Sequence, residues 1–108
     1  MLKDIVEKFS ALNIYQRRSV NDGYCELVFF SKDAEEWNKT LVEIFGQAVK
    51  PAGTKPVKSD LLLTKEYGGV QKDQTFFRKD LEGTTIIAMF WPWQDLEHTT
   101  LKIAILKK

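Results

Sequence analysis

A chain of 108 residues that is 44% hydrophobic, 29% charged and 12% aromatic has the length of one domain and the composition of a folded one. Sixteen Lys and Arg against fifteen Asp and Glu leave a net charge of +1, which excludes both the strongly basic surface of a general nucleic-acid binder and an acidic solvating tail. The single cysteine, Cys25, permits no intrachain disulfide, and no apolar run reaches the roughly 18 residues of a membrane span, so a cytoplasmic protein of bacterial type, free of membrane and nucleic acid, is expected.

Leu2, Ile5, Val6, Phe9 and Leu12 recur at three- and four-residue spacing against Asp4, Glu7 and Lys8, which predicts an amphipathic helix over residues 2–12. From Ile14 to Phe30 the pattern is extended, and Asn21-Asp22-Gly23 at its midpoint supplies residues that tolerate the positive φ of a tight hairpin. In the second strand Cys25, Leu27 and Phe29 alternate with Tyr24, Glu26, Val28 and Phe30; the former set is assigned to the core and the latter to a mixed surface. Ser31 reads as the N-cap of a second helix with Asp33, Glu35 and Glu36 near its start and Ala34, Trp37, Leu41, Ile44 and Phe45 as its stripe. This helix stops at Gly46 or runs on to Val49.

Residues 50–58 hold two of the three prolines and three lysines, an internal loop rather than a domain boundary, since two halves near 50 residues would each have a marginal core. Ser59-Asp60 can cap a short helix carrying Leu61, Leu62, Leu63 and Tyr67 and stopped by Gly68-Gly69; a strand over 61–64 is the alternative. Three strands follow, near Gln74–Lys79, Thr84–Trp91 and Thr99–Leu106, the first two joined through Asp80-Leu81-Glu82-Gly83. Thr84–Trp91 is apolar on both faces and belongs in the middle of a sheet. The final strand puts Leu101, Ile103 and Ile105 on one face and Lys102, Ala104 and Leu106 on the other, and that second face needs a cover, from the chain or from another copy. The expected fold is a single α+β domain over residues 1–108: helix, two strands, helix, short helix, three strands, with an antiparallel five-stranded sheet and helices mainly on one face. This order is similar to the layout of profilin-like and roadblock-type domains, a likeness of layout that carries no function.

Candidate chemistry is sparse. His98 lies beside Glu97 and three residues after Asp95, but one histidine and one cysteine fall short of the usual zinc inventory, and the group reads as a solvated turn. Cys25 and His98 could form a thiol nucleophile pair, yet Cys25 sits on the apolar side of its strand and reads as inert core. Gly53-Thr54-Lys55 and Gly68-Gly69 do not match a phosphate loop, and Lys50, Lys55 and Lys58 read as solvated loop charges. Arg17 and Arg18 point to opposite faces of a strand and read as edge charges. The most unusual feature is Phe90-Trp91-Pro92-Trp93, where Trp91 and Trp93 either cap the core or stand exposed as anchors. No metal or cofactor is expected. The leading expectation is a non-catalytic binding module that self-associates, as a homodimer or on another protein. The alternative is a small-molecule or enzymatic domain with an aromatic pocket between sheet and helices, lined by Trp37, Tyr67, Phe77 and Trp91 with Arg78 or His98 as the polar contact.

Overall fold

A computed structural model describes residues 2–107, apart from the side chains of Lys3 and Lys107. The elements in chain order are α1 (Leu2–Lys8), β1 (Ile14–Val20), β2 (Tyr24–Phe30), α2 (Ala34–Phe45), α3 (Lys58–Thr64), β3 (Thr75–Leu81), β4 (Thr84–Pro92) and β5 (His98–Lys107), with single 3-10 turns at Ser31–Asp33 and Lys65–Tyr67. All five strands pair antiparallel in the order β1-β2-β5-β4-β3, so the α+β domain foreseen from the sequence is present, with the doubly apolar β4 inside the sheet.

Strand alternation sorts the side chains onto two faces. Cys25, Leu27, Phe29, Phe77, Ile86, Ala88, Phe90, Leu101 and Ile103 share the first face with Leu2, Ile5, Val6 and Phe9 of the α1 segment and Trp37, Leu41 and Phe45 of α2. Trp37 stacks between Phe9 and Phe29, at centroid distances of 4.9 and 4.3 Å and interplanar angles of 17° and 9°. Its indole Nε1 has no acceptor among the described residues, so burial and stacking alone hold it. Phe76, Ile87, Met89 and Ala104 lie on the second face with Val70, under Leu63 of α3, Tyr67 and the partly buried Trp91.

Several local readings change in physical detail. The helix of 2–12 ends at Lys8 and continues as i to i−3 turns, Phe9 N–H to Val6 and Leu12 N–H to Phe9. The Asn21 hairpin needs no positive φ, because the Asn21 Oδ1 accepts the N–H groups of Gly23 and Tyr24, each at 2.9 Å, and so closes the turn with a side chain. Ser31 does not cap α2; its hydroxyl pairs with Thr99 Oγ1 at 2.8 Å, and the helix follows a 3-10 turn with Asp33 at the cap position. Gly46, at φ 82°, is the stop of α2. The turn between β3 and β4 is only Glu82-Gly83, with Asp80 and Leu81 inside the strand.

The 61–64 segment is helical. α3 starts one residue before Ser59, and Asp60 acts from inside its first turn by accepting the Val57 N–H at 3.2 Å. Seven residues give one inward face, and Asp60, Leu63, Thr64 and the following Tyr67 occupy it, so Leu61 and Leu62 point outward. The two glycines stop it as expected, at φ 99° and 74°.

One loop reading is corrected. Lys50 is not a solvated charge: it is 2% exposed, and its ammonium donates to the carbonyls of Pro51 (3.1 Å), Lys72 (3.0 Å) and Gln74. Backbone pairing of Lys50 with Phe76 covers part of the β3 edge and fixes where the side chain enters. Burial lowers its pKa, with Asp60 and Asp73 opposing that shift.

Candidate functional site

The residues expected to form one aromatic pocket lie on both sides of the sheet. Trp37 and Phe77 are fully buried under α1 and α2, whereas Tyr67 and Trp91 pack on the second face with α3. Arg78 belongs to the edge strand β3, opposite Ile87, and its Nε donates to Asp80 Oδ1 at 3.1 Å, so it reaches neither the tryptophans nor His98. Phe77 and Arg78 are adjacent and point apart, which splits the expected lining between the two faces, and Arg78, opposite Ile87, stands four residues along β4 from Trp91. The four residues Tyr67, Trp91, Trp93 and His98 do gather on the second face, in two neighbouring groups.

The first group surrounds Trp91. Gly68, in the left-handed region, lies so close that a Cβ there would sit 2.6 Å from the Trp91 indole. Lys102, from the adjacent strand, holds its ammonium 3.8 Å from the centre of the Trp91 ring and donates to the Tyr67 carbonyl at 3.3 Å. Burial lowers the Lys102 pKa; Glu26 opposes this and Arg18 adds to it. Tyr67 stacks on Tyr24 at 5.4 Å, and the Tyr24 hydroxyl donates to Glu26 Oε1 at 2.6 Å. Burial and that acidic acceptor raise the Tyr24 pKa well above the ordinary phenol value.

The second group surrounds His98 where β5 begins. Pro92 is still in register with Thr99, and just beyond it the Trp93 N–H reaches the His98 carbonyl at 2.8 Å. The Trp93 indole turns back over the sheet, donating from Nε1 to Thr100 Oγ1 at 2.7 Å. The Arg18 guanidinium lies 5.1 Å above this ring and 3.4 Å from Glu26 Oε2. Tyr15, Phe30 and Trp93 surround the imidazole at centroid distances of 4.4, 5.4 and 4.9 Å, which leaves the His98 side chain 13% exposed. His98 is thus packed among rings rather than displayed on a solvated turn.

Asp95 staples the loop between β4 and β5. Its Oδ1 accepts the N–H groups of Glu97 and His98, and its Oδ2 lies 2.6 Å from His98 Nδ1, which holds the Asp95 carboxyl below its ordinary range. Asp95, Glu97 and His98 bring potential ligand atoms within 4.8 Å of one another, but both Asp95 oxygens already serve the loop. At the tip, Leu96 adopts φ 62° and is 85% exposed. The left-handed region costs a side chain of this kind roughly 1–2 kcal/mol.

A thiol–imidazole pair is ruled out by register. Cys25 pairs with Ile103 on the first face and His98 with Phe30 on the second, so strand length and the sheet itself separate them. Burial pushes the Cys25 thiol up to about 11, against nucleophilic use. Sequence reasoning missed Tyr15, Arg18, Glu26, Phe30 and Lys102. The alternation of β2 and β5 did place Glu26, Phe30 and Lys102 on one face, but their meeting depends on pairing β2 with β5, two strands about 70 residues apart in the chain. No protein-family model matches the chain, and neither a curated protein nor a solved structure matches it.

Proposed function

We propose that this chain is a non-catalytic binding module that self-associates through the open end of its second sheet face. One observation carries the reading: around His98, half-buried rings held in fixed geometry run out to exposed apolar groups, Tyr15 at 51% and Leu96 at 85%. Rigid aromatic side chains bind at low entropic cost, and cations over Trp91 and Trp93 set their positions before any partner arrives. At one end the second face is closed to a partner, because Ala104 is buried and Leu106 partly so beneath α3. The open end at β1 and the start of β5 is the surface left for self-association.

A second reading as a small-molecule domain is favoured by one feature, an open cleft of about 290 Å³ between α1, the end of α2 and the β3–β4 hairpin. Its floor is Ile5, Ile44, Phe45, Leu81 and Ile86, and Lys8 and Lys79 are on its rim. Native mass spectrometry over a range of protein concentrations separates the two. A dimer without added mass is the expected result, and a monomer retaining a small molecule overturns the proposal in favour of the cleft.

A further inference from the structure

We infer that two copies of this chain meet about a twofold axis at the loop between β4 and β5, the Leu96 side chain of each filling the cleft beside Phe30 of the other. This deepens the self-association reading and rests on it. Leu96 combines a φ of 62° with 85% exposure. Glycine or asparagine would serve that backbone better, and a side chain so exposed adds little to the core, so the fold of one copy gives no reason for leucine there. The loop nonetheless holds it firmly. Leu96 donates its N–H to the Trp93 carbonyl at 3.2 Å, and Asp95 accepts the next two N–H groups.

Directly beside this knob is an open cleft of about 400 Å³ lined by Phe30, Lys32, Leu96 and Glu97. A knob on the rim of its own hole is what an isologous contact requires, because each patch must offer both halves of the fit. Charge selects the same occupant. Lys32 and Glu97 are both exposed on this rim, the Lys32 ammonium 5.7 Å from the centre of the Phe30 ring, and a twofold axis passing between the two charges sets Lys32 of one copy opposite Glu97 of the other, making the patch complementary to itself. Tyr15, edge-on to Phe30 at 5.3 Å, extends the apolar area toward the β1 edge.

The test is sedimentation equilibrium and native mass spectrometry on the full chain and three variants. The unaltered chain is expected to dimerise. Leu96→Asn should weaken dimerisation about 100-fold, since a buried leucine is lost twice, while the thermal midpoint of the monomer stays level or rises because asparagine suits the positive φ. Lys32→Glu and Glu97→Lys should each weaken the homodimer. Mixed together they should form heterodimers beyond the statistical share, because the mixed pair restores both cross-axis ion pairs. An unaltered chain that stays monomeric at all concentrations overturns self-association and this contact together. A dimer whose affinity survives Leu96→Asn, or variants that mix only statistically, overturns this contact and leaves self-association standing.

Discussion

The two faces of the sheet are built from the same alternating strands and end in different states. On the first, α1 and α2 bury the middle of the sheet under the Phe9–Trp37–Phe29 stack and leave an open cleft beside the β3–β4 hairpin. On the second, a seven-residue helix and a 3-10 turn cover only the part around Phe76, Met89 and Ala104 of β3, β4 and β5, leaving the end around His98 to be closed by rings, cations and a loop. Coverage therefore follows the length of helix available. Twelve residues of α2 span the first face, and seven of α3 cannot span the second.

The contrast between the faces makes different demands on substitutions at each. Trp37→Ala should cost about 3–5 kcal/mol in denaturant unfolding, because it empties the middle of the stack on the first face; a loss below about 1 kcal/mol would mean that this face is not the main core. Gly68→Ala should cost about 1–3 kcal/mol, from the positive φ and from the Cβ driven into Trp91. An unchanged midpoint would show that α3 and its turn sit loosely on the second face.

Alkaline pH probes both faces at once. Cys25 titrates at about 11 in the folded chain against 9.0 for a free thiol, so its neutral form is favoured by folding. The folded state holds the proton longer, hence stability is fully present below pH 9 and falls as pH rises toward 11, with Tyr24, also raised, adding to the loss above pH 10. Thiol-reagent kinetics at pH 8 provide the check: Cys25 should react only at the rate of opening of the chain, and fast labelling would place it outside the closed face. The smallest effect belongs to the open end. Arg18→Ala removes a half-exposed ion pair and the cation over Trp93, and should cost no more than about 1 kcal/mol in unfolding. A larger loss would make this end part of the core rather than a surface.

Residue order carried much of the fold into view. The stripe of α2, the two apolar faces of β4 and the alternation of β2 and β5 read correctly because period and side-chain direction are local properties of the backbone. Gly46 and Gly68-Gly69 marked helix ends for the same reason, being the residues at ease in the left-handed region. The candidate site was less legible. Residue type alone marks Trp91, Trp93, Tyr67 and His98, but it marks Trp37 and Phe77 equally, and these lie across the sheet. Lys50 illustrates the limit from the other side: its loop composition reads as solvent, and the approach of the 71–74 turn adds the Lys72 and Gln74 carbonyls to that of Pro51 and holds the ammonium inside.

Spacing within a dozen residues and composition are enough to settle the α+β class, the element order, which residues of each strand share a face, and that no disulfide can form within these residues. Tertiary structure alone decided that β2 pairs with β5, that α3 crosses to the second face, that Arg18 and Lys102 settle over two tryptophans, and that Leu96 is held outward beside Phe30. Those outcomes depend on contacts between segments distant in the chain. Such contacts are chosen by the packing of the whole domain and leave no mark in any one stretch of residues.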